Sequence, residues 1–391
     1  TITAANSSGT AVASGSTTND GTITVTFATT ESTTDFADSD ITVSGGAVSS
    51  FSGSGSFYTA TFTPTADGLT TIDVAAGVFA DASGNTNTAA TQYTWTFNGT
   101  PATITGVSLA SDNSTIAVTL DEPVYNAAGG SGALEASDFV FAISGGVATL
   151  SSTTPTSISA SGNVYTLGIG LSGTPTGAET LTVNPASNSI YDAYSNISTI
   201  SQSNNTVTIN DKTPPTITIA VADSDGNSLS SGSTTNDASL SLTFTVSEAT
   251  ANFASNDLTL AGGTISSFSA TSSTVYTATF TPSADGATTV DVGAGVFTDA
   301  GGNGNTALSQ YTWTYDGTPS IIASVALASD NSTIAVTMNE VVYNTTLGSG
   351  AVEMSDFALS ISGGSAIMAS ATPSSINTSG SVYTLGISLN G

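Results

Sequence analysis

Two stretches of this chain, AGVFADASGNTNTA at 76–89 and AGVFTDAGGNGNTA at 294–307, set an aspartate and two asparagines at matching intervals on short glycine-containing loops. Asp81, Asn85 and Asn87 stand in the first loop, Asp299, Asn303 and Asn305 in the second. Carboxylate and amide oxygens without nitrogen or sulfur donors suit a hard cation such as Ca²⁺, which takes roughly six to eight oxygen ligands. Other chemistry is narrowed by composition. The chain has no histidine, no cysteine and one basic side chain, Lys212. Ser-His-Asp, Cys-His and phosphate-clamping arrangements therefore cannot be assembled. Paired carboxylates of the glycosidase kind need neither, but the acids recur in both copies at loop positions, which suits a structural element better than a catalytic one. The expectation is a protein that is not an enzyme.

The elements that carry these loops repeat. SGSTTND at 14–20 returns at 231–237, and YTWTF at 93–97 returns as YTWTY at 311–315. A second kind of segment follows each copy: LASDNSTIAVT at 109–119 returns at 327–337, and SGNVYTLGI at 161–169 returns as SGSVYTLGI at 379–387. The order is A, B, A′, B′. Thr-Pro junctions at 100–101, 213–215 and 318–319 mark the joins, because proline fixes φ and restricts the residue before it. The modules are read as A over 1–99, B over 100–212, A′ over 213–317 and B′ over 318–391. B′ stops where B reaches residue 173, so it is expected to lack its last strands, and A lacks the TPPT lead-in of A′; the chain is read as a window on a longer repeating polypeptide.

Each module is a series of short alternating apolar runs punctuated by Gly, Asn, Ser and Asp. In A these are 22–28, 40–43, 58–62, 71–75 and 93–97; in B, 115–120, 139–143, 164–171, 179–183 and 206–209. No helix is signalled. The expected fold is all-β, with two antiparallel sheets per module and the modules joined end to end as a rod. Trp95 and Trp313 are read as core.

Twenty-nine acids against one base give a net charge of −28 at pH 7, so nucleic acid and anionic membrane surfaces are poor partners. No apolar run is long enough to span a bilayer in this segment. Asn-x-Ser/Thr sequons such as those at Asn113 and Asn331 are frequent, leaving glycosylation open.

If the strands follow immunoglobulin order, the loop after the second strand and the loop before the last emerge at the pole where the preceding linker enters. One ligand set per joint follows. For A′ it is Asp211, Glu248, Asp299, Asn303 and Asn305; for B, Asn98, Glu122, Asp192 and Asn196; for A, Glu31, Asp81, Asn85 and Asn87; for B′, Asp316 and Glu340. The competing reading is that these are solvated turn residues, since Asp and Asn tolerate turn geometry. The segment Asp223, Ser224, Asp225, Gly226, Asn227 lacks a closing glutamate and is read as a plain turn.

SEATANF at 247–253, YTATFTPSADG at 276–286, the 294–307 loop and the TPP lead-in resemble the bacterial Ig-like repeats of large surface adhesins and extracellular matrix proteins. The B modules are less specifically similar, through DEPVYN at 121–126 and YDAYSN at 191–196, where Ser195 replaces the usual glycine. The resemblance implies Ig-like sandwiches in an extracellular chain attached at a cell surface, acting as an extender with calcium at the joints. It names no terminal ligand. Two functions stay open: a stalk whose partners are its own neighbouring repeats, or a filament or sheath subunit, glycosylated or not, whose partners are other copies meeting at unguarded sheet edges. A sugar- or ice-binding module is the third and weakest reading.

Overall fold

The computed structural model describes residues 1–345 and 348–390. They form two compact units, residues 1–214 with 301–303, and 215–300 with 304–391. The fold is all-β throughout. The only helical turns among the described residues are the three-residue 3₁₀ turns Asp38–Asp40, Ala136–Asp138, Ser255–Asp257 and Met354–Asp356.

In the first unit, module A stacks two four-stranded sheets. One has the order Ala11–Val12, Ile2–Asn6, Ile23–Thr33, Gly46–Pro64; the other runs Thr17–Thr18, Tyr93–Phe97, Gly68–Val74, Ile41–Ser44. Alternation drives the burial. Ile23, Val25 and Phe27 point inward from one strand, Ile72 and Val74 from its opposite number, and Trp95 is fully enclosed between them. The chain changes sheets between Ser44 and Gly46, and the crossing needs glycine. Gly45 sits at φ 75°, where a Cβ would lie 2.9 Å from the Leu69 carbonyl oxygen, and at Gly46 a Cβ would meet the Phe62 ring at 2.4 Å. Module A′ crosses in the same way at Gly262 and Gly263.

Module B places Ile158–Ser161, Val164–Gly168, Thr115–Leu120 and Ile104–Leu109 in one sheet, and Phe139–Ser144, Thr180–Pro185 and Thr206–Thr208 in the other. Phe139, Phe141, Leu181 and Val183 meet Ile116, Val118 and Leu167 in the core. Asn113, in one of the sequons, is only 4 % exposed at the hairpin turn. Its side chain exchanges bonds with Asn210, donating to the carbonyl at 2.8 Å and accepting from the backbone N–H at 3.0 Å. In this fold it is a cross-link between the first hairpin and the end of the module, with no room for a glycan.

In the second unit, A′ repeats the two sheets of A, as Ser228–Leu229, Ile217–Ala222, Leu240–Val246, Val275–Pro282, Gly263–Ala270 and as Thr234–Thr235, Tyr311–Tyr315, Gly286–Val292, Leu258–Ala261. B′ holds one four-stranded sheet, Ile322–Leu327, Thr333–Met338, Val382–Gly386, Ile376–Ser379, and a short pair, Ile367–Met368 with Leu389–Asn390. Residues 357–362, which match Phe139–Ser144 of B, carry no strand. In B that strand is held by its ladder to Thr180–Pro185, and the described residues of B′ hold no counterpart of that partner.

Candidate metal centre at the joint of modules A and B

Three of the Asp-x-x-x-Asn loops close on themselves. Asp81 accepts the N–H groups of Ser83 at 2.8 Å and Asn85 at 2.9 Å through one carboxylate oxygen, and the Asn85 side-chain amide at 2.8 Å through the other. Asp192 repeats the pattern with the N–H groups of Tyr194 at 2.8 Å and Asn196 at 2.7 Å and the Asn196 amide at 2.7 Å. So does Asp223, with Asp225 and Asn227. The turn needs a left-handed residue before the asparagine. Gly84 supplies it at φ 85° and Gly226 at φ 87°, whereas Ser195 adopts φ 75° with a side chain attached. Its hydroxyl accepts the Gly129 N–H at 2.8 Å, which holds it there. The spacing alone therefore describes a turn. What separates a joint from a turn is the set of further oxygens brought alongside.

At the A–B joint that set is present. Asn196 donates through its amide to the Asn98 carbonyl oxygen at 2.9 Å and to the Asn98 side-chain oxygen at 3.3 Å, and accepts from the Asn19 amide at 3.2 Å. Asp192 has no exposed surface. Glu122 is half-buried beside it: burial, and then the charges of Asp192, Asp121 and Asp67, push its carboxyl above the usual glutamate range. Asn98, Asp192 and Asn196, assigned to one joint by sequence, thus touch one another, and Glu122, assigned with them, lies near enough to feel the charge of Asp192. Asp67, Asp121 and Asn19 join them without having been expected. Asp121 accepts from Thr103 through both backbone N–H and hydroxyl, at 2.8 and 2.7 Å. Asp67 accepts the Gly99 N–H at 2.7 Å and the Thr100 hydroxyl, and these bonds, the hydroxyl's first, hold it below the usual aspartate range.

At the outer pole of A, Glu31, Asp81 and Asn85 line one cleft. Asp81 is held low by the Asn85 side chain and N–H and, less strongly, by Glu31. In the second unit, carboxylate oxygens of Glu248 and Asp299 approach within 4.8 Å, with Asp299 buried. Asp211 and Asn303 belong to the first unit, where Asp211 accepts the Thr213 N–H at 2.8 Å. Asp316 hydrogen-bonds through its N–H to the Thr235 carbonyl oxygen at 2.9 Å, as Asn98 does to Thr18 at 3.0 Å. Glu340 is half-buried at the start of B′.

Two expected ligands are corrected. The side-chain oxygen of Asn87 accepts from Val78 and Phe79 at 2.9 and 3.2 Å while its amide donates to Ala75 and Thr88. Asn305 is bound in the same way to Val296, Phe297, Gly293 and Thr306 and is 3 % exposed. Both lone pairs of each amide oxygen are committed to backbone, so these residues staple their loops and are not ligands.

A family model for the bacterial Ig-like domain matches residues 3–98 and 211–315. Among solved structures, the chain is similar to invasin, a bacterial integrin-binding protein, at 17 % identity over 87 % of this chain and 67 % of that one, with a TM-score of 0.29. It is similar to domains 1–6 of the surface layer protein SbsC at 14 % identity over 94 % and 61 %, with a TM-score of 0.19. A Bacteroides ovatus glucan-utilisation protein, SGBP-B, matches at 16 % over 80 % and 68 %, with a TM-score of 0.17. No curated protein matches.

Proposed function

Because this chain belongs to the bacterial Ig-like domain family, we propose that it is a structural extender, a run of sandwiches that sets reach outside the cell, with Ca²⁺ held at the joints. The role is mechanical, not catalytic. The observation that carries it is the A–B joint, where groups from both modules converge on Asn196 and where half-buried Glu122 feels the charge of three other carboxylates. A chain with one basic side chain has no internal cation for that cluster. Hard oxygen donors from Glu122, Asp192 and Asn98 fit Ca²⁺, and its charge would reverse the repulsion they now share.

Glu122→Gln tests this through a change of sign. Without divalent ions, the raised carboxyl of Glu122 means that its ionised form opposes folding at neutral pH, so the substitution should raise the melting temperature in chelator. In calcium the same substitution removes a ligand and should lower it relative to the parent. A variant that melts higher than the parent in both conditions would remove calcium from the joint.

Lateral assembly into a sheath is a second reading, supported by the Gly46–Pro64 segment, whose outer edge carries no lysine and shows Phe57 at 65 % exposure. Ordered growth of fibres in a concentration series would favour it; single rods at every concentration would favour the extender.

A further inference from the structure

The linker from module A to module B sets an asparagine directly before a glycine, and the fold fixes both. Asn98 donates its N–H to the Thr18 carbonyl oxygen at 3.0 Å. Gly99 admits no side chain, since a Cβ there would lie 2.4 Å from the Phe97 ring. In an Asn-Gly pair the glycine nitrogen can approach the asparagine side-chain carbonyl carbon with no Cβ standing over the path. Two further groups attend that pair here. The Gly99 N–H donates to one Asp67 carboxylate oxygen at 2.7 Å, within the reach required of a general base, while the other oxygen accepts the Thr100 hydroxyl. The Asn196 amide donates to the Asn98 side-chain oxygen at 3.3 Å, where negative charge gathers if the carbonyl is attacked. The same linker recurs between A′ and B′ as Asp316, Gly317, Thr318 and Pro319. Its grip is unchanged: Asp285 accepts the Gly317 N–H at 2.7 Å and the Thr318 hydroxyl, and the Asp316 N–H donates to the Thr235 carbonyl oxygen at 2.9 Å. Asp316 at the place of Asn98 is the acid that hydrolysis of an asparagine side chain yields.

We propose that Asn98 is a self-modification site, where the folded chain converts its own asparagine to a carboxylate. The Gly99 nitrogen attacks the Asn98 side-chain carbonyl carbon, forming a C–N bond, while Asp67 takes the proton from that nitrogen. The bond from the same carbon to its amide nitrogen breaks, and this nitrogen leaves as ammonia with the proton that Asp67 returns. Water then opens the ring imide at either of its two carbonyls, leaving aspartate or isoaspartate. Aspartate makes the A–B linker match the A′–B′ linker, which already holds an acid at this place with the clamp intact. The joint gains one negative charge opposite the Asn196 amide, a donor able to accept it as partner. The reaction needs water and no bound cation.

The experiment incubates the full chain in chelator and follows peptides spanning residues 98–99 by mass spectrometry, reading the mass gained when the amide becomes a carboxyl. The same chain unfolded in guanidinium chloride is the reference, because it keeps the Asn-Gly pair and loses the company of Asp67 and Asn196. Conversion should run at least about tenfold faster in the folded chain than in the unfolded one. Asp67→Asn retains an oxygen to accept the Gly99 N–H but removes the base, and should bring the folded chain down to the unfolded rate or below it. Conversion in the folded parent that is no faster than in denaturant would overturn the proposal, making the Asp67 clamp a protection of the linker. A folded Asp67→Asn chain that converts as fast as the parent would overturn it too.

Discussion

Trp95 and Trp313 hold the same position in two copies of one module but keep different company. The Trp95 indole N–H donates to the Thr18 hydroxyl at 3.0 Å, whereas the Trp313 indole nitrogen is buried with no partner, although Thr235 donates its hydroxyl to Asp237 just as Thr18 does to Asp20. A buried donor left unpaired costs what a paired one does not. Trp95→Phe should therefore destabilise its module by roughly 1 kcal/mol more than Trp313→Phe does its own, as urea unfolding of the two variants would measure. Glu179 illustrates a carboxylate that sequence could not distinguish from the joint acids. It is fully buried and accepts the N–H groups of Val147 at 2.8 Å, Ala148 at 3.0 Å and Thr176 at 3.0 Å. Burial pushes its carboxyl up, but the backbone donors outweigh burial and bring it down to about 2. A lowered carboxyl stabilises the fold at pH values above its ordinary 4.5, and that contribution is lost as pH falls from there through about 2. Module B should weaken across that window. Glu179→Gln should flatten the dependence and cost roughly 2 kcal/mol at pH 6, and an unchanged pH profile in the variant would refute the assignment.

The elements that direct one module toward the next are short turns whose importance lies in what they grip. Asp67 ends a hairpin turn and holds Gly99 and Thr100 of the linker; Asp285 holds Gly317 and Thr318 in the same way in the second copy. Neither was selected from the sequence, because an Asp-Gly turn in a hairpin already has a local explanation and its partners lie 32 and 33 residues away. Asp67→Asn should leave the melting of module A within about 0.5 kcal/mol, since the site is on the surface, yet broaden the distribution of distances between spin labels placed on A and on B. An unbroadened distribution would mean that Asn196 alone fixes the joint. The strands themselves were legible: the alternating runs at 93–97, 115–120 and 139–143 fall within Tyr93–Phe97, Thr115–Leu120 and Phe139–Ser144, and the run at 22–28 starts one residue ahead of Ile23–Thr33. What escaped were Ile2–Asn6, Ile104–Leu109, Ile158–Ser161 and the two-residue strands, where propensity is weak and the tertiary partner decides. The 3₁₀ turn found in every module, which leads directly into a strand in A, B and A′, escaped too, although Asp40, Asp138, Asp257 and Asp356 each accept the backbone N–H three residues earlier. That shared cap ties A and B modules together more firmly than the acidic loops do. The asparagines show the limit of spacing: Asn196 and Asn87 look alike in sequence, and only the fold turns one to the next module and the other to its own backbone.

At the scale of the whole chain, two properties stand out: exposed apolar surface in B′ and unbalanced charge everywhere. Ile322, Val325 and Leu327 of B′ are more than half exposed, whereas Ile104 of B is fully enclosed. Charge reaches further. With a net charge of −28 and one basic side chain, nearly every long-range electrostatic interaction in the molecule is repulsive. Sodium chloride should raise the melting temperature by screening, gradually and saturating once the Debye length falls below the spacing of surface acids, near roughly 0.1 to 0.5 M. Calcium bound at joints behaves differently, because stabilisation by a ligand follows the logarithm of its concentration over its dissociation constant and continues after screening is complete. In a fixed background of 0.5 M sodium chloride, millimolar calcium should still raise the melting temperature, magnesium should do so less because it resists dehydration and demands a tighter shell, and Asp192→Asn should reduce the calcium increment while leaving the sodium curve unchanged. Calcium and magnesium increments that are equal, or that vanish in the sodium background, would reduce the joints to diffuse counterion clouds and leave Asn98, Asn196 and Asp67 as the whole of what holds the modules in line.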